Sequence, residues 1–153
     1  MRTGVRLGID VGKARIGVAR SDPHGMLATP VETVARGGGD IARIVAIARE
    51  LDPVEVVVGL PLALSGNETA STQDARDFAE LLAPALSLPV RMVDERLSTV
   101  SAGRALQASG RNTKKQRPVI DQVAAVIILQ HALDFERSGG TAPGTLVDPD
   151  EGQ

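Results

Sequence analysis

Apolar residues along this chain follow two rhythms, and the change from one to the other marks out its elements. Val5 to Ile9 is a short apolar run that ends at Asp10, and Ile16, Val18 and Ala19 form a second run closing near Ser21-Asp22-Pro23. Leu27 to Val34 reads as a third strand; Pro30 suits a sheet edge, where a missing N–H costs no ladder hydrogen bond. The turns between these runs are short, which favours antiparallel hairpins. After Gly37-Gly38-Gly39 the period lengthens. Ile41, Ile44, Val45, Ala48 and Leu51 recur at helical spacing, with Asp40 as the expected N-cap and Asp52-Pro53 as the stop. Val54 to Val58 is a β-branched run of the kind found in buried parallel strands. Residues 60–69 read as a loop and residues 71–86 as a helix burying Ala75, Phe78, Ala79 and Leu82, while Val90 to Val93 returns to strand. Ser98 can cap a helix reaching about Ser109. A polar, basic loop follows over 110–117. Pro118 fits the first position of a last helix over Val119–Phe135, which places Val123, Ala124, Ile127, Ile128 and His131 near one face.

The order is β-β-β-α-β-α-β-α-α. Three hairpin-linked strands followed by α/β units predict an α/β fold: a mixed five-stranded sheet with helices on its faces. The 153 residues make one domain, expected over 1–137. Residues 138–153 are rich in Gly, Pro and acids and are expected to be a disordered tail.

Composition narrows the chemistry. There is no cysteine, which removes disulfides, zinc–thiolate sites and thiol nucleophiles. His24 and His131 lie far apart, so a histidine zinc site or a Ser-His-Asp triad has little support. With no Trp or Tyr and two Phe, base stacking of the kind used by single-strand binding modules is unlikely to be this chain's device. No apolar run is long enough to span a membrane and the N-terminus lacks a signal pattern, so the expected location is the cytoplasm, away from membranes. Net charge is −2, but its distribution is uneven. Residues 91–117 carry seven bases against two acids, and residues 134–153 carry five acids against one base. The basic stretch can attract phosphates; it can equally be an ordinary solvated surface.

Three acids sit at the edges of apolar runs: Asp10, Glu95 and Asp121. A carboxylate at the end of a buried strand is costly unless something compensates it, and Mg²⁺ or Mn²⁺ is the usual partner for oxygen donors. Each has an ordinary alternative. Asp10 could close a turn, Glu95 could pair with Arg96 on the surface, and Asp121 could meet the dipole of the helix it opens. Strand alternation separates Asp94 from Glu95. Ala124 and Ala125 would let the last helix lie close to the sheet. Gly8-Ile9-Asp10-Val11-Gly12-Lys13 is not a P-loop, because its glycines are too close and Ala14 stands where a hydroxyl is needed.

Four segments in order carry a resemblance: Asp10-Val11-Gly12-Lys13-Ala14-Arg15-Ile16-Gly17-Val18-Ala19, Val58-Gly59-Leu60-Pro61-Leu62, Asp94-Glu95-Arg96-Leu97-Ser98-Thr99, and Asp121-Gln122-Val123-Ala124-Ala125-Val126-Ile127-Ile128-Leu129-Gln130. Together they resemble the YqgF/RuvX family of RNase H-like proteins, regarded as pre-16S rRNA nucleases or Holliday-junction resolvases. The resemblance spans roughly Gly4 to Arg137. It implies an RNase H-like sheet of three antiparallel and then two parallel strands, with helices on both faces. It implies that Asp10, Glu95 and Asp121 converge as a catalytic, metal-binding triad for Mg²⁺ or Mn²⁺. It also assigns Lys13, Arg15, Arg96, Ser98 and Thr99 to nucleic-acid contact, and on that reading Arg111, Lys114, Lys115 and Arg117 would clamp the phosphate backbone. RNase H-type resolvases carry a fourth carboxylate one turn after the last-helix aspartate; this chain has Ala124 there. The implied partner is precursor rRNA or branched DNA, and a junction resolvase would need two active sites and hence a homodimer. Two other functions compete. Actin-like ATP-handling enzymes share a similar first-strand motif but need two such domains. A binding or scaffold protein could keep the fold without turnover.

Overall fold

The computed structural model describes residues 2–95 and 117–147, with the backbone alone at 117–121. Strand β1 (Arg6–Val11) is buried almost throughout and is the centre of the sheet. It pairs antiparallel with β2 (Arg15–Ser21), which pairs antiparallel with β3 (Ala28–Ala35). On its other side β1 runs parallel to β4 (Glu55–Leu60), and β4 runs parallel to β5 (Val90–Asp94). These five strands have the predicted directions. Pro30 lies on the edge strand β3, beside a register shift at Val18/Ala19, as its missing N–H requires.

Among the described residues the sheet has six strands rather than five, in the order β3-β2-β1-β4-β5-β6. The sixth, β6 (Thr145–Val147), pairs antiparallel with Met92 to Val90 and lies within the stretch expected to be disordered. Three residues are too few to display an alternating pattern, and the strand is held by backbone pairing to the edge of β5.

Helices α1 (Asp40–Leu51) and α2 (Ala70–Leu86) cover one face, packing Ile44, Ile47, Phe78, Ala79 and Leu82 against Leu7, Ile9, Val56 and Val58. Asp40 is not the N-cap of α1. That position is Gly39, and Asp40 accepts from the N–H groups of Gly37 and Ile41 instead, at 3.1 and 2.7 Å. At the start of α2, Thr69 and Thr72 form a reciprocal capping box. Helix α3 (Arg117–Gly139) packs on the other face, with Ala125, Ile128, Leu129 and Ala132 on Ala19, Ala28 and Val57. The helix expected over 98–109 lies outside the described residues. Among the described residues, no helix is long and apolar enough to cross a membrane.

Small residues on the sheet let α3 sit low. A Cβ on Gly8 would lie 2.6 Å from Leu129 Cβ and 3.0 Å from the Ala125 carbonyl oxygen. The helix runs antiparallel to β1: Glu136 reaches Arg6 near the start of the strand, and Leu129 and Ala125 cross Gly8.

Candidate active site

The parallel strands β1, β4 and β5 present their carboxyl ends at one edge of the sheet, where ligands of open α/β sheets bind. Along β1, Leu7 and Ile9 face α1 and α2, so Gly8 and Asp10 face α3. Asp10 is therefore on the α3 side at the end of the central strand, and it is only 1% exposed. Glu95 follows the last residue of β5 and is 5% exposed.

Strand β4 lies between these two acids, and Gly59 is the residue that connects them. It is one position beyond the Ile9–Val58 pair, which makes it the strand neighbour of Asp10. A Cβ at Gly59 would lie 2.7 Å from Glu95 Oε1 and 3.1 Å from Glu95 Cγ. The Glu95 side chain thus occupies the space that any other residue at position 59 would fill, over the strand that neighbours Asp10. Gly59 carries no local signal of this role; its place between two strand-end acids is set by strand order.

Asp121 belongs to α3. From Ala125 over Gly8, four residues back along the helix rise about 6 Å, and two residues along β1 advance about 6.6 Å. The backbone of Asp121 consequently comes level with Asp10. Its side chain lies outside the described residues, and among the described residues no three His, Asp or Glu side chains form a metal-sized cluster.

Lys13 and Arg15 lie in and after the β1–β2 turn, at the same edge as Asp10; Lys13 is exposed and Arg15 half-buried. The remaining predicted nucleic-acid contacts, Arg96, Ser98, Thr99, Arg111, Lys114 and Lys115, lie outside the described residues. Arg117 is the first residue of α3, and its side chain is also outside them.

The opposite end of α3 is fixed by charge. Glu136 accepts from Arg2 Nη2 at 2.6 Å and from the buried Arg6 at 3.2 Å. Arg2 also donates two bonds to the buried Glu55, at 3.0 and 3.1 Å, and Arg91 donates a third at 2.8 Å. The Arg2 bond holds the Glu136 carboxyl below the usual carboxylate range despite its burial.

Among the described residues the acids at this edge, Asp10 and Glu95, offer carboxylate oxygens, and Glu95 lies over the open space left by Gly59. That set fits a hard divalent cation such as Mg²⁺ or Mn²⁺.

A mixed sheet of three antiparallel and then two parallel strands, with helices on both faces and acids at the ends of β1 and β5, is the architecture of the RNase H-like class of folds. The chain belongs to the RuvX family, whose profile, described as Holliday junction resolvase, matches residues 4–135. A relative from Clavibacter michiganensis subsp. michiganensis is 66% identical over 98% of each chain, and one from Thermobifida fusca is 53% identical over 97% of this chain and 98% of its own. Both carry the name "Putative pre-16S rRNA nuclease". The structure of T. thermophilus RuvC in complex with a Holliday junction substrate superposes with a TM-score of 0.58 at 21% identity, covering 94% of this chain and 99% of RuvC. That likeness establishes the fold. Family membership makes the chain a nuclease, a hydrolase acting on ester bonds.

Proposed function

We propose that this nuclease is a metal-dependent endonuclease acting on precursor 16S rRNA in the maturation of its 5′ end. The observation that carries the chemistry is that two buried acids, Asp10 and Glu95, end strands on either side of β4 at the carboxyl edge of the sheet, with Glu95 lying over Gly59. The identity of 66% over nearly the whole chain supports the RNA substrate.

Asp10, Glu95 and Asp121 would hold Mg²⁺ or Mn²⁺. When bound, the metal would lower the pKa of a water and offset charge on the scissile phosphate. The chain's own residues supply position. Asp10 is fixed by a strand buried almost throughout, so its carboxylate needs little reordering. Lys13 and Arg15 bind phosphates flanking the cut, with Arg96, Ser98 and Thr99 following Glu95 in sequence. Arg111, Lys114, Lys115 and Arg117 raise the local concentration of the polyanion.

The test compares wild type with Asp10→Asn, in Mg²⁺ and in Mn²⁺, on a precursor 16S rRNA 5′ fragment and on a four-way DNA junction. We expect cleavage of the RNA, with Asp10→Asn folded but slower on the order of 10²-fold or more, roughly 3 kcal/mol of transition-state stabilisation. Full activity in the variant would remove Asp10 from the chemistry. A strong preference for the junction would instead make the chain a resolvase, working as a homodimer. Binding without turnover by either protein would point to a scaffold.

A further inference from the structure

Arg36 is a half-buried cation between the end of β3 and the face of α2, and no part of the nuclease chemistry above uses it. Nearly all its hydrogen-bonding groups are committed. Nη1 and Nη2 make a bidentate pair with Asp74 on α2, at 2.9 and 3.0 Å. Nε is 3.6 Å from Asp40, and the guanidinium lies 5.4 Å from the centroid of the Phe78 ring, one helical turn after Asp74. These contacts fix the side chain to α1 and α2. Its other contacts reach the β1–β2 turn. Nη1 donates to the Gly12 carbonyl at 2.8 Å, and the Arg36 backbone N–H donates to the Ala14 carbonyl at 3.0 Å.

Within the turn the Gly12 N–H donates to the Arg15 carbonyl at 2.9 Å. The turn begins two residues after Asp10 and carries the exposed Lys13 at its tip. Held from outside at Gly12 and at Ala14, it is tied to the helical layer.

We propose that Arg36 is a positioning residue: clamped by Asp74 and Phe78, it holds the Gly12–Arg15 turn so that Lys13 and Arg15 meet the substrate phosphates beside Asp10. The inference rests on the reading of this edge as the nucleic-acid face. Arg36 is not itself the phosphate ligand, because Asp74 and Asp40 neutralise it and Asp74 and the Gly12 carbonyl already take hydrogen bonds from both of its Nη groups. The bond from Arg36 also keeps the Asp74 carboxyl below its ordinary range, so the pair stays ionised at neutral pH.

The test measures kcat and KM on the precursor 16S rRNA 5′ fragment for Lys13→Ala, Arg15→Ala, Arg36→Gln, Arg36→Lys, Asp74→Asn and the Lys13→Ala/Arg36→Gln double variant. Lys13→Ala and Arg15→Ala examine the underlying reading; if neither raises KM, the turn does not face phosphate and the inference falls with it. If either does, Arg36→Gln and Asp74→Asn should each raise KM about three- to tenfold with kcat within about twofold, and Arg36→Lys should recover only part of the loss. In the Lys13→Ala background the Arg36→Gln effect should shrink, because the turn then has less to position. Unchanged KM in Arg36→Gln and Asp74→Asn overturns the latch while leaving the nuclease reading intact. A lower KM in Asp74→Asn also overturns it, since a released Arg36 would then be binding phosphate directly. Should Arg36→Gln fail to fold, Asp74→Asn decides the question, because it keeps the arginine and weakens only the clamp that holds it on the Gly12 carbonyl.

Discussion

Glu95 can lie over β4, the strand beside Asp10, because Gly59 has no side chain. Adding one methyl there places a carbon 2.7 Å from Glu95 Oε1 and 2.6 Å from Ile128 Cδ1. Both atoms are ends of flexible side chains and can move, so Gly59→Ala should fold, with a stability loss of about 1–3 kcal/mol. The carboxylate would be pushed from its place, and a displacement near 1 Å is enough to cost on the order of 10²-fold in rate. Thermal shift offers a second readout: Mg²⁺ or Mn²⁺ should raise the Tm of wild type by linkage and raise that of Gly59→Ala much less. Equal shifts and equal rates would mean that the glycine serves packing alone. The acids were legible in the sequence because each interrupts or ends an apolar run. Gly59 was not, because its meaning depends on which strands flank it.

At the scale of elements, the site depends on how deeply α3 sits. Gly8 meets Leu129 Cβ and the Ala125 carbonyl oxygen, and neither can swing aside as a side-chain tip can. Gly8→Ala should therefore lift the helix. We expect a loss of about 1–3 kcal/mol, read from the urea midpoint, with a fall in cleavage greater than the stability loss accounts for. A variant with native stability and native rate would show that helix depth is not critical. The alanines of α3 already suggested a close approach, and the glycine that receives them lies in the very motif that drew attention to Asp10. Helices α1 and α2 were readable from period alone, since each buries one stripe against the sheet. Strand β6 was not, because its three residues are held by backbone bonds that carry no sequence signature. The capping of α1 also misled: Asp40 has the right chemistry for a cap, but Gly39 takes that position and Asp40 closes the preceding turn.

Across the whole molecule, the end of the sheet away from the acids is tied by Arg2, Arg6 and Arg91 to Glu55 and Glu136. These contacts join the start of the chain, β4, β5 and the last turns of α3, and so help set the register in which α3 brings Asp121 level with Asp10. Glu136→Gln would leave the buried Arg6 without its carboxylate and should cost about 3 kcal/mol. The pH dependence follows from the lowered Glu136 pKa. The unfolded chain takes up this proton near pH 4.5 and the folded chain only at lower pH, so the contribution is complete above that value and is lost as pH falls through the folded pKa. Urea midpoints between pH 7 and pH 3 should therefore fall less steeply for Glu136→Gln than for wild type. Parallel slopes would place the acid sensitivity elsewhere, for example at Asp74, which is also lowered. By itself, the sequence determined the order and type of most elements, the acids that end them and the family to which they belong, because period and local chemistry are properties of neighbours along the chain. The tertiary structure alone decided that β4 lies between the two strand-end acids, that Gly59 gives Glu95 its space, that β6 completes the sheet, and that Arg36 ties the first turn to α2. Each depends on residues far apart in sequence meeting in space, and no local pattern specifies which of them will meet.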